Sequence, residues 1–402
     1  MQAPADPARA GLHFPPRPGF ALLAYGFRPF FLLAGLHAAL AMPLWMAFLH
    51  GVDLPGAPLA PLAWHGHEMI YGFVMAAVAG FLLTAVPSWT GRRGFAGMPL
   101  LALVLVWLAG RVAVTVPLGL PASVVAAVDL AFPVALVLAI LPSLVRSGNR
   151  RNLVLVGLLA LLFIANLHFY LAGAASTEPL RLAVNALLLL VAMIGGRIVP
   201  AFTSARLKQR GFDVRLPGRT LIDRAALGAV VAVLVVDLVQ PGGMPAGIVA
   251  ALAAVLLALR LARWHGHRSF GEPILWVLHV AYAWLAVGLT LKSAWLLGGF
   301  VFASGWLHAL SAGAFATMIL AVMSRAALGH TGRALVAPAS VAVAYALLTG
   351  AALARVFGPT AFPGAWTTWL GVAATLWTVA FVLYVIAYAP ILCAPRVDGR
   401  PG

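Results

Sequence analysis

Apolar runs of close to twenty residues follow one another along nearly the whole chain, separated by short polar or Pro-Gly interruptions. A helix rises about 1.5 Å per residue, so a hydrocarbon core of about 30 Å takes about twenty apolar residues per crossing. The runs predict helices near 28–49, 64–87, 98–117, 122–145, 152–173, 179–201, 221–240, 245–263, 273–297, 303–326, 335–356 and 365–391. Leu54-Pro55-Gly56, Pro241-Gly242-Gly243 and Phe362-Pro363-Gly364 punctuate them. The expected fold is an all-α polytopic membrane protein of about twelve transmembrane helices. A single helical domain covers 28–391, with an N-terminal segment 1–27 before it and a tail 392–402 after it.

Composition agrees with that pattern. Of 402 residues, 63% are hydrophobic and 9% charged, against about 45–50% and about 25% in soluble domains. A formal net charge of +16 would suit a nucleic-acid binder. Its distribution argues against one, because the basic residues fall in alternate loops. Arg92 and Arg93 follow the second span, and Arg146, Arg150 and Arg151 the fourth. Arg206, Lys208, Arg210, Arg215 and Arg219 fill the longest loop, 202–220. Arg260, Arg263 and Arg268 follow the eighth, Arg333 the tenth, and Arg396 and Arg400 the last. The opposite loops carry no Lys or Arg. Positive charge marks the cytoplasmic side, so both termini are expected in the cytoplasm and the protein in a bacterial inner membrane. Loop 202–220 divides the spans into two sets of six without an evident sequence repeat. The first 27 residues are Pro-rich and lack the apolar centre of a signal peptide. A lone Cys393 allows no intramolecular disulfide.

Histidine is the unusual residue. Six of the eleven fall in predicted spans: His37, His65, His67, His168, His279 and His308. Ionisable groups in a bilayer mark functional sites by default, and imidazole is the commonest protein metal ligand. His37 lies in an ordinary apolar run, where an interhelical hydrogen bond accounts for it. Trp64-His65-Gly66-His67-Glu68 opens the second span. Residues two apart on a helix point about 200° away from each other, so His65 and His67 can serve different neighbours. Glu68 can orient an imidazole or carry a proton. The other reading of this stretch is an interfacial polar helix start. Counted by rise per residue, His65, His67, His168 and His308 share the outer third of the membrane, and His279 lies on the inner third. Histidines at one depth on several helices suit a haem with axial imidazoles or a copper site. No Cys-x-x-Cys-His occurs, which excludes covalent c-type haem.

A second polar layer lies at the inner face. It holds Arg28, Trp89-Thr90-Gly91-Arg92, Gly195-Gly196-Arg197-Ile198-Val199-Pro200 and the stretch from Arg325 to Arg333. Topology with snorkelling side chains explains these residues. Alternatively, Arg197 and Arg325 clamp an anion or a haem propionate with the guanidinium fork. Arg111, Asp129, Asp237, Lys292 and Arg355 are further charges within spans, positioned to pair or to sit near the outer ends. Asp129 and Asp237 are candidates for a proton path.

These motifs resemble those of the NnrS family of bacterial membrane proteins. The matching stretches are Tyr25-Gly26-Phe27-Arg28-Pro29-Phe30-Phe31, Trp64-His65-Gly66-His67-Glu68-Met69 and the run from Gly80 to Gly91. They continue with Gly196 to Thr203, Leu278 to Leu285, Leu307-His308-Ala309-Leu310 and Arg325 to Arg333. The resemblance implies a polytopic protein containing haem, non-covalent and expected to be b-type, together with copper. It implies a link to nitric oxide metabolism and protection against nitrosative stress, with an external electron donor if there is turnover. The motif histidines carry over to His65, His67, His279 and His308, with His168 a further candidate metal ligand. His65, His67, His308, Arg197 and Arg325 are the expected cofactor-binding residues. Two other readings compete: a twelve-helix transporter, and a haem-based sensor without turnover. The span count and facing histidines are analogous to haem–copper oxidases and nitric oxide reductases, by analogy alone. Expected partners are the lipid bilayer and nitric oxide, and no nucleic acid.

Overall fold

A computed structural model describes residues 21–52, 55–92, 94–173, 176–212 and 220–400. Most of segment 1–27, Arg93, and Arg215 and Arg219 of the long basic loop lie outside the described residues. Twelve helices and no strands form the described structure. They are α1 (Phe27–Leu49), α2 (Pro61–Thr90), α3 (Gly97–Thr115), α4 (Ala122–Arg146), α5 (Leu153–Ala172) and α6 (Glu178–Gln209). The second half comprises α7 (Leu221–Val239), α8 (Met244–Ala262), α9 (Pro273–Gly298), α10 (306–330), α11 (Ala339–Ala361) and α12 (Trp366–Cys393). Eleven are long and apolar enough to cross a bilayer. The remaining one, α7, carries Asp223, Arg224 and Asp237 in its 19 residues. Two of these charges are compensated: Asp223 takes a hydrogen bond from Arg260 Nε at 2.7 Å, and Asp237 is paired with Lys292. The chain is therefore an all-α multi-pass membrane protein, as the apolar pattern predicts.

Helix ends differ from expectation where polar residues continue a helix. α6 runs to Gln209, so the first part of the expected loop 202–220 is helical. Thr203 and Leu207 are buried there while Arg206 and Lys208 face outward, a one-sided pattern that a four-residue spacing gives on a helix. α2 begins at Pro61, a residue whose fixed φ suits a first helical turn.

Consecutive helices pack as neighbours, and α12 returns along α1, closing the bundle. The inner ends are tied together: Ala21 N–H donates to the Cys393 carbonyl at 2.7 Å, and Arg28 donates to the carbonyls of Leu392 and Ala394 at 2.8 and 2.7 Å. Burial separates the helices into two groups. Of the apolar stretch of α2, 83% is buried, and of α6, α9 and α10, 67% each, against 28–50% for the other candidate spans. These four make the centre of the bundle. They carry nearly every candidate residue: His65, His67 and Glu68 on α2, Arg197 on α6, His279 on α9, and His308 and Arg325 on α10.

If α7 also crosses, the crossings number twelve, and with the alternating charge this leads to one prediction. Reporter fusions after residue 210 and after residue 243 should lie on opposite sides of the membrane, the first with the basic loops. Equal sidedness would contradict the passage of α7 through the bilayer.

Candidate functional site

His65 and His308 arrive at one place from two central helices. Each is an electrostatic neighbour of Arg355 on α11, and they are neighbours of each other. Trp45 of α1 stacks on the His65 ring, with centroids 4.5 Å apart and planes 16° from parallel. On the next residue, a Cβ at Gly66 would stand 2.6 Å from Leu180 Cδ1, the tip of a side chain on α6. His65 Nδ1 is buried and has no hydrogen-bond partner among the described residues. Buried polar atoms are normally satisfied, so this imidazole nitrogen is one that could hold a ligand.

Both histidines sit just before a π-helical stretch, Glu68–Val74 in α2 and Ala309–Ala316 in α10. Such bulges insert an extra residue, turn the following side chains to a new azimuth, and recur at functional sites. Each has a glycine that receives a ring from the neighbouring helix. A Cβ at Gly72 would lie 2.3 Å from His37 Nε2, and one at Gly313 would lie 2.5 Å from Trp284 Cδ2. Trp107 Nε1 donates to the Gly72 carbonyl at 3.3 Å, satisfying a carbonyl of the first bulge.

His67 faces the opposite way, into a closed ionic cluster. Its Nδ1 lies 3.1 Å from Glu68 Oε1, and its Nε2 lies 3.1 Å from both Asp129 Oδ2 and Asn166 Oδ1. Every atom facing the ring is an acceptor, so both nitrogens carry hydrogen and His67 is an imidazolium. Arg111 forks across the two carboxylates, one guanidinium nitrogen on Glu68 and the other on Asp129. Asn166 Nδ2 and the Tyr170 hydroxyl donate to Asp129 Oδ2 at 2.7 and 3.1 Å. Two carboxylates, one guanidinium and one imidazolium sum to zero charge. That balance is what makes the cluster tolerable where burial is nearly complete, since an isolated buried charge costs several kcal/mol. His37 Nε2 comes within 3.3 Å of Glu68 Oε2.

The other expected residues stand apart. His168 is at the outer depth but faces outward on α5, in a cleft with Glu178, Arg181 and Asp237. His279 lies toward the inner end, Nε2 2.9 Å from Thr203 Oγ1, with Nδ1 buried and without a hydrogen-bond partner. Arg197 donates to Asn152 Oδ1 at 2.8 Å, and Arg325 lies 4.1 Å over the Phe202 ring. Arg325 is seventeen residues beyond His308 on α10, about 25 Å at 1.5 Å per residue. Arg197 is separated from Leu180, and so from the level of His65, by the same spacing. The charge beside the outer pair is therefore Arg355, while the inner arginines lie at another level. Among the described residues, no three or more His, Cys, Asp and Glu side chains converge as a metal-binding group.

Sequence reasoning missed Arg355 as the charge beside the pair and His37 as the neighbour of Glu68. It also missed that Trp264-His265-Gly266-His267 repeats the tetrad at 64–67. The copy at 264–267 is a turn, with His265 in the left-handed region at φ 54°. At 64–67 a proline start and a following apolar run extend the helix, whereas Arg268-Ser269-Phe270-Gly271 after the copy does not. The signal available in the sequence was the recurrence itself.

The fold and site define a multi-pass helical membrane protein whose central helices hold a histidine pair beside a buried ion cluster. The chain belongs to the NnrS family: the family model described as NnrS protein matches residues 21–396. No curated protein matches the sequence.

Proposed function

We propose that this membrane protein of the NnrS family binds haem through His65 and His308, binds or processes nitric oxide, and so protects against nitrosative stress. The observation that carries the proposal is that two half-buried imidazoles from separate helices are electrostatic neighbours, with the buried His65 Nδ1 lacking a hydrogen-bond partner among the described residues. Two imidazoles from separate helices are the number a bis-histidine haem takes, whereas the tetragonal geometry of copper(II) calls for more ligands. The donor set thus fits haem at this position. The lone Cys393 and the absence of a Cys-x-x-Cys-His motif make attachment non-covalent, as in a b-type site. Copper, the second metal of the proposal, would need a separate site with more ligands than this pair offers.

When bound, the haem would supply one-electron redox chemistry, and nitric oxide could reach its iron only in place of one of the two imidazoles. The protein's own groups set the surroundings. Trp45 fixes the plane of His65 by stacking. Arg355 brings a positive charge that a propionate or a small anionic ligand would balance. Glu68 and His67 are committed to the ion cluster, so their role is to hold α2 in register and thereby aim His65. Lipid surrounds the bundle, and any turnover draws on an external electron donor.

The visible spectrum and metal content of the purified protein test this reading. A Soret band with haem close to stoichiometric is expected. A colourless, metal-free protein would instead fit a twelve-helix carrier.

A further inference from the structure

A second site lies at the outer end of α5, α6 and α7, away from the histidine pair. A cleft of about 230 Å³ is lined by His168, Glu178, Arg181, Asn185, Asp237 and apolar residues including Leu238 and Val239. At about 30 Å³ per water molecule this is room for roughly eight waters, enough for a small polar group and too little for a large one. At its base is Asp237. Oδ2 is fully used, by the Lys292 ammonium and by Asn185 Nδ2 at 2.8 Å. Oδ1 is buried and has no donor among the described residues. The side chain is 2% exposed and that of Lys292 1%, so the unmet acceptor is inside the protein, on a residue that lines the cleft. Arg181, half-buried in the same lining, makes no ion pair among the described residues, although Glu178 stands three positions before it. It is close enough to act electrostatically on Lys292.

The ligand that completes this cleft must bring a hydrogen-bond donor to Asp237 Oδ1 and an anionic oxygen to Arg181. A group with both ends is a small zwitterion. The flanking surface indicates where it comes from: Leu171, Leu238 and Val239 around the opening are 76%, 55% and 83% exposed, and such apolar exposure at the end of membrane helices faces lipid. We propose that the cleft binds the headgroup of a phosphoethanolamine lipid from the leaflet opposite the basic loops, with the ammonium on Asp237 and the phosphate on Arg181. This assignment is independent of the haem proposal.

The test uses native mass spectrometry of the full-length protein with a series of lipids of equal acyl chains. The headgroups are phosphoethanolamine, its mono- and dimethyl forms, phosphocholine and phosphoglycerol. Stepwise methylation removes ammonium donors while keeping charge and phosphate, and needs no variant that risks misfolding. Retention should fall along the series, with phosphocholine about tenfold or more weaker than phosphoethanolamine, the size of one charge-assisted hydrogen bond. Arg181→Gln, at the rim, should fold normally and weaken phosphoethanolamine retention by a similar factor. Equal retention of phosphoethanolamine and phosphocholine would overturn the assignment, as would preferred phosphoglycerol binding or indifference to Arg181→Gln.

Discussion

Replacing either His65 or His308 with alanine is expected to strip haem from the purified protein while leaving the bundle folded. Neither imidazole takes part in the ion cluster, so little folding energy depends on them. Changing a residue that only supports a metal ligand costs about 10–100-fold in affinity, and removing a ligand itself should exceed that. Haem per protein, measured beside the thermal midpoint of the apoprotein, checks this. Loss of haem in both variants with near-normal midpoints is the expected outcome. Retention in both would remove the pair from the site.

Arg111→Met should do the reverse and prevent stable accumulation. The guanidinium bridges two nearly fully buried carboxylates, and deleting one partner of a buried pair costs about 3–5 kcal/mol. That is a large share of a typical stability of about 5–15 kcal/mol. His67→Ala should behave similarly, because it leaves two carboxylates against one guanidinium. The yield of detergent-soluble protein and its melting midpoint measure the effect. Arg355→Met is the control: Arg355 makes no ion pair among the described residues, so it should accumulate normally. Wild-type behaviour of Arg111→Met would show that the cluster does not hold α2 in place.

Depth was legible in the sequence and azimuth was not. Runs of about twenty apolar residues located the spans, and counting 1.5 Å per residue placed His65 and His308 at one level. The two-residue spacing also foretold that His65 and His67 serve different neighbours. The destination of His67 was not visible, because the partners Arg111, Asp129 and Asn166 come from three other helices. Which faces of those helices turn inward depends on packing, and the π-helical stretch after His67 alters the register of α2. His168 shows the same limit, since it lies at the expected depth but on the outward face of a peripheral helix. The inner arginines looked like a propionate clamp because arginine suits that role. The same count of 1.5 Å per residue, which already set them in an inner layer, puts them about 25 Å from the pair.

Electron paramagnetic resonance of the oxidised wild-type protein tests the central claim most directly. If His65 and His308 are the axial ligands, the ferric haem should give the low-spin signal of two imidazoles, and either alanine variant should lose it while the Arg355→Met protein keeps it. A haem signal without bis-imidazole character, or one unchanged in both histidine variants, would contradict the assignment of the site.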